Sequence, residues 1–168
     1  HTRSSCVTGV QTCAFRSVDH RGDQVSAADY RGKWLLVFFG FTTCPDVCPT
    51  ALNEIAEVME KLGAKAAKVQ PLFITVDPER DTPERMAEFV GAFDPRITGL
   101  TGTPDQIKSS TKSFKVYYAK AVQKEAPDGY TMEHTTSLYL IDPKGRFVRL
   151  YSYNATVNEI ADDLQARL

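Results

Sequence analysis

The stretch Phe38-Phe39-Gly40-Phe41-Thr42-Thr43-Cys44-Pro45-Asp46-Val47-Cys48-Pro49 sets two thiols where an apolar run gives way to a proline-marked turn. The run from Trp34 to Gly40 is apolar on both faces and rich in strand-forming residues, which predicts a buried central strand. Beyond the turn, Leu52, Ile55, Ala56, Met59 and Leu62 repeat at helical spacing, with Glu54, Glu57, Glu60 and Lys61 mostly between them, which predicts an amphipathic helix. The thiols therefore fall at a strand-to-helix junction, and in α/β sheets ligands collect at the carboxyl ends of strands. A helix N-terminus also lowers the pKa of a nearby thiol, so both cysteines are expected to be reactive. In regular helix the i, i+4 spacing would put the Cα atoms about 6 Å apart, suited to a disulfide or a shared metal. Pro49 favours a first helical turn instead, so the pair is expected to straddle the loop and the helix start.

Working outward, Phe15 to Asp19 and Gln24 to Ser26 flank a glycine turn and predict a hairpin. Val69 to Val76 predicts a second buried strand. Thr82-Pro83 then opens a helix that buries Met86, Phe89, Val90 and Phe93. Ile97 to Thr101 predicts a short strand, and Thr103 with Gln106 a capping box. Ser137 to Ile141 and Arg146 to Tyr151 flank Asp142-Pro143-Lys144-Gly145 and predict an antiparallel pair. Thr156 with Glu159 caps a last helix carrying Val157, Ile160, Ala161, Leu164 and Leu168 on one stripe. This order predicts an α/β protein with a thioredoxin-like three-layer fold, a central mixed sheet and an N-terminal hairpin.

A length of 168 residues predicts one domain with a core of its own. Lys plus Arg is 20 against 21 for Asp plus Glu, so no global charge attracts nucleic acid, and no nucleic-acid partner is expected. The longest apolar run, Trp34 to Phe41, is far short of the roughly 20 residues of a membrane span. The chain opens at His1 without methionine, so a leader or anchor could have preceded it.

Two thiolates seldom complete a metal site, and of His1, His20 and His134 only His134 has a suitable context, in Glu133-His134-Thr135-Thr136-Ser137 ahead of a strongly β segment. Spacing leaves its ligation open, since a lone histidine is more commonly a surface or hydrogen-bonded residue. Two cysteines and a histidine form a soft, low-coordinate set that suits Cu(I) and accepts Cu(II), whereas zinc normally takes a fourth ligand. A second polar cluster, Asp77-Pro78-Glu79-Arg80-Asp81-Thr82-Pro83, also follows a strand. Cap and dipole chemistry suffices for Asp81 and Thr82. Asp77 ends an apolar strand on the cysteine edge, where it is placed to orient His134 or meet a docking partner, and Asp81 is kept beside it as a residue behind the site.

Three motifs in order, Gly40 to Pro49, Thr75 to Pro83 and His134 leading into Leu138 to Asp142, closely resemble the SCO/SenC family of copper-binding thioredoxin-like proteins of cytochrome c oxidase assembly. The resemblance covers about Phe15 to Leu168. It implies Cys44, Cys48 and His134 as copper ligands. It also implies a metallochaperone role, with delivery to the Cu-A site of cytochrome c oxidase subunit II. A thioredoxin-like reductant and another copper chaperone are further implied partners. Location in the bacterial periplasm on a membrane anchor is implied as well, or alternatively in the mitochondrial intermembrane space.

A thiol–disulfide reductase acting on the Cu-A cysteines, with Cys44 and Cys48 as its redox pair, is the alternative. General disulfide exchange is less favoured, because His134-Thr135-Thr136 lacks the proline usual there in thioredoxin-fold oxidoreductases. Thiol peroxidase chemistry, suggested by Phe41-Thr42 and Cys48-Pro49-Thr50, is opposed by Cys44 and the His134 motif. Arg3 to Cys13 lies outside the family pattern and looks like a translated sequencing-adapter fragment. Residues 1–14 are therefore expected to be an extraneous or disordered segment, with no role for Cys6 and Cys13 beyond a small disulfide, and residues 15–168 to be the functional domain.

Overall fold

The computed structural model describes residues 14–44 and 47–168. Strands β1 (Arg16–Asp19) and β2 (Gln24–Ser26) form the expected N-terminal hairpin, with Arg16 opposite Ser26. Strand β3 (Trp34–Gly40) feeds helix α1 (Val47–Leu62), and a 3-10 segment leads to β4 (Val69–Thr75). Helix α2 (Pro83–Gly91), β5 (Thr98–Thr101) and α3 (Pro104–Phe114) follow. Strands β6 (Tyr118–Val122) and β7 (Tyr130–His134) come next, then β8 (Leu138–Ile141), β9 (Phe147–Tyr151) and α4 (Val157–Arg167). The helix starts carry their expected caps: Thr82 accepts from the Arg85 N–H, and Thr103 with Gln106 and Thr156 with Glu159 form capping boxes.

The large sheet is mixed and seven-stranded, in the order β2-β1-β5-β4-β3-β8-β9. The middle strands are the continuously apolar ones, as burial on both faces requires. Phe38 and Phe39 point to opposite faces. Phe38 stacks on Phe73, which meets Phe89 of α2, while Phe39 meets Phe114 of α3 and Tyr139 of β8. Helices thus cover both faces, and α1 packs on α4.

Register gathers the three motifs. Strands β3 and β4 are parallel, with Gly40 opposite Thr75, so the Cys44 loop and the Asp77 to Asp81 loop leave the sheet side by side. Strand β8 runs antiparallel to β3 with Leu138 opposite Phe38, so the chain entering β8 from His134 arrives at that same edge. Strands β6 and β7 form a separate two-stranded sheet that the hydrophobic pattern did not announce. Lys120 interrupts the first strand, and the connection from Gln123 to Gly129 is longer than a tight hairpin turn, with the Asp128-Gly129 pair only at its end.

Candidate metal centre

Helix α1 begins at Val47, so Cys48 lies in its first turn and Cys44 in the loop before it, straddling the junction as the proline pattern requires. Phe41 to Cys44 form a turn in which the Cys44 N–H donates to the Phe41 carbonyl. The Phe41 N–H in turn donates to Cys48 Sγ at 3.5 Å. Gly40 makes room for that sulfur: a Cβ there would collide with Cys48 Sγ and crowd the rings of Phe73 and Phe38. The glycine is required by close approach, since its φ is ordinary.

Asp81 fixes the loop from behind. One carboxylate oxygen accepts from the Thr42 N–H at 3.0 Å and from the Thr75 hydroxyl at 2.6 Å, and the other accepts from the Thr42 hydroxyl at 2.5 Å. Burial pushes its pKa above the usual range, against the pull of these bonds. Thr82 is the cap of α2, as its pattern implied, and Asp81 does more than the turn and dipole chemistry expected of it. It ties the end of β4 to the cysteine loop, and the hydroxyls of Thr42 and Thr75 were the sequence signal for it.

His134 is the last residue of β7 and not merely the approach to the next strand. Its Nδ1 lies 2.9 Å from the Thr135 carbonyl oxygen. A carbonyl can only accept, so Nδ1 carries the proton and Nε2 presents its lone pair. Nε2 faces Cys48 Sγ at 3.8 Å. The rings of Phe41 and Phe38 meet the imidazole edge-on, with centroids 5.6 and 6.1 Å away. The side chains of Cys44, Cys48 and His134 bring one ligand atom each to within 4.8 Å of one another. Three donors bonded to one ion at about 2.0–2.3 Å lie about 3.5–4.0 Å apart in a trigonal arrangement, so the cluster must close by up to about 1 Å to grip it.

Cys48 is fully buried and Cys44 is 9% exposed, and the two sulfurs are in the dithiol state. The expectation of a lowered thiol pKa fails for Cys48, which is pushed well above the ordinary cysteine range. Its hydrogen bond with Cys44 comes first, burial next, and the Phe41 N–H opposes them only weakly. A second sulfur and an apolar cage outweigh the helix N-terminus. Such a site holds protons until a cation replaces them.

Asp77 does not meet the imidazole directly. Its carboxylate pairs with Arg80 and accepts from the Tyr130 hydroxyl at 3.1 Å, so it reaches β7 at the end opposite His134. Cys6 and Cys13, and residues 1–13 of the segment 1–14 expected to be extraneous, lie outside the described residues, while the Ala14 N–H donates to the Ser113 hydroxyl at 3.3 Å.

A mixed α/β sheet with paired thiols and an imidazole at the carboxyl edge of its central strands defines a thioredoxin-like protein with a candidate soft-metal site. A sequence model of SCO1/SenC matches residues 8–168, beginning ahead of Phe15, and the chain belongs to that family. It is 43% identical over 156 residues to the mitochondrial SCO2 homolog of Bos taurus, covering 92% of this chain and 58% of that protein. Protein sco1 of Schizosaccharomyces pombe is 39% identical over 150 residues, covering 88% and 57%. The chain thus spans less than two thirds of the length of these curated relatives. The copper-bound structure of Bradyrhizobium japonicum ScoI superposes with a TM-score of 0.85 at 44% identity, covering 94% of this chain and 99% of that one. Copper-bound yeast Sco1 gives 0.83 at 33% identity, covering 93% and 87%. Relatives are both mitochondrial and bacterial, and among the described residues no helix is long and apolar enough to cross a membrane.

Proposed function

We propose that this chain carries copper for cytochrome c oxidase assembly, with Cys44, Cys48 and His134 as its ligands and the Cu-A site of subunit II as the acceptor. The observation that carries the reading is the convergence of two buried thiols and the Nε2 lone pair of a half-buried imidazole in one cluster, in a chain whose relatives include copper-bound proteins. Copper is the cargo. Thiolates suit Cu(I), imidazole suits Cu(I) and Cu(II), and a three-donor set leaves room for an incoming ligand to bind before the old ones leave. Asp81 holds the cysteine loop and the Thr135 carbonyl holds the imidazole tautomer, so both parts are oriented before the ion arrives.

The reading extends to residues 15–168 as the working domain, in the periplasm or the mitochondrial intermembrane space, with a thioredoxin-like reductant to maintain the dithiol. Another copper chaperone would supply the ion. A second reading, reduction of the Cu-A cysteines by the Cys44–Cys48 pair, is favoured by the proximity of the sulfurs and by the related BsSco, in which a disulfide switch was identified. The deciding experiment mixes the Cu(I)-loaded protein with the metal-free, fully reduced soluble Cu-A domain of subunit II. Copper should move to the acceptor. Retention of copper, together with thiol transfer to an oxidised acceptor, would favour the reductase.

A further inference from the structure

The β6–β7 hairpin that carries His134 is not strand-paired with the main sheet, so beyond the short link from His134 to β8 it is side chains that hold the hairpin over the cysteines. Tyr130, Met132 and His134 alternate along β7 and share its inward face, with Met132 buried. The firmest grip is at Tyr130. The Arg80 guanidinium lies 3.9 Å from the Tyr130 ring centroid, and its Nη1 donates to the Tyr130 carbonyl at 3.2 Å. Its Nε donates to Asp77, whose other oxygen accepts from the Tyr130 hydroxyl. Lys120 of β6 lies 4.7 Å from the same ring and pairs with Glu79 at 3.1 Å. The same guanidinium stands 6.0 Å from the ring of Phe41, which packs on His134 and whose N–H donates to Cys48 Sγ. Arg80, its side chain only 7% exposed, thus bonds to Asp77 in its own loop and to the start of the His134 strand, and stands near the residue that backs both imidazole and thiol.

We propose that Arg80 is a positioning residue for the metal centre: it locks the hairpin through Tyr130 and supports the ring wall through Phe41, so that His134 is presented to the cysteines before the ion binds. The proposal rests on the copper reading above. A planar, always charged guanidinium can stack on an aromatic ring while donating sideways to a carboxylate and a carbonyl, which an ammonium cannot. Without it the hairpin swings and the imidazole leaves, while Cys44 and Cys48, held by β3, α1 and Asp81, stay in place. The site then falls from three donors to two.

The test makes Arg80→Gln, Arg80→Lys and Tyr130→Leu, each in the parent and in His134→Ala. In the metal-free proteins the His134 ring protons are followed by NMR, since the Phe38 and Phe41 rings shift them. Cu(I) affinity is then measured against a competing chelator. Each single variant should move the imidazole resonances toward those of an exposed histidine and weaken copper binding about 10-fold, the scale seen when groups orienting a ligand are removed. In His134→Ala the same substitutions should cost nothing more, because they act through the missing imidazole. An equal loss with and without His134, or unmoved imidazole resonances, would overturn the proposal. Should Arg80→Gln fail to fold because Asp77 is left buried without its counter-charge, Arg80→Lys and Tyr130→Leu give the same two readouts. Equal copper affinity for His134→Ala and the parent would overturn the copper reading itself, and the metal-free resonances would still decide whether Arg80 places the imidazole.

Discussion

Gly40 and Cys48 illustrate how closely single atoms are set at this centre. A methyl group at Gly40 would meet Cys48 Sγ and the rings of Phe38 and Phe73, two buried rings with little freedom to yield. Gly40→Ala should therefore destabilise the fold by about 1–3 kcal/mol, as overpacking does, and weaken copper binding by displacing the sulfur. Urea unfolding and a copper titration check both, and a variant with unchanged affinity would show that the sulfur has room to move. Copper binding should also strengthen as pH rises. The Cys48 thiol is held protonated above the ordinary range by its bond with Cys44 and by burial, so the ion must displace a proton to bind, and acid restores the competitor. Chelator competition at about pH 6 and about pH 8 should show weaker binding at the lower value. The cysteines were legible in the sequence because proline and strand-to-helix position mark them. The raised thiol was not, because it depends on which sulfur and rings surround it in three dimensions.

Among the elements, the loop between β3 and α1 owes its shape to Asp81. Removing that carboxylate leaves the Thr42 N–H and the hydroxyls of Thr42 and Thr75 without their acceptor. Asp81→Ala should cost about 1–3 kcal/mol and speed hydrogen exchange at Thr42 and Cys44, whereas Thr82→Ala, which removes the α2 cap, should cost about 1 kcal/mol and leave that loop unchanged. Native-state hydrogen exchange separates the two, and equal protection at Thr42 in both variants would contradict this role for Asp81. The helices, the caps and the central strands were readable from the sequence, since their signals are local: periodicity, Thr-Pro starts and capping boxes. The β6–β7 sheet was not. Its strands are short, partly exposed and interrupted by lysine, and their packing rests on Met132 in the core and on Tyr130 meeting Arg80 from a distant segment.

Across the whole molecule, acid should loosen the fold at places remote from the metal centre. Asp94, bonded by the Arg96 side chain and backbone, has its pKa held below the usual carboxylate range. Asp163 is lowered as well: burial pushes upward, but bonds from Arg167 and Tyr151 prevail. A carboxylate whose folded pKa is depressed adds stability that is present above its unfolded value of about 3.9 and is lost as pH falls through the folded one. Asp94→Asn should thus be less stable than the parent at neutral pH, and the difference should shrink below about pH 4, as urea unfolding at both values would show.

The topology has the larger consequence, because parallel β3–β4 and antiparallel β3–β8 pairing deliver the cysteine loop, the Asp81 loop and His134 to one edge. That edge is the claim to test first, by copper content after dialysis of Cu(I)-loaded protein against a competing chelator, for the parent, Cys44→Ser and Cys48→Ser. The three-ligand site should hold about one copper per parent chain and almost none in either variant, since one thiolate and one imidazole are too small a soft-ligand set. Full copper retention by either serine variant would contradict that ligand set.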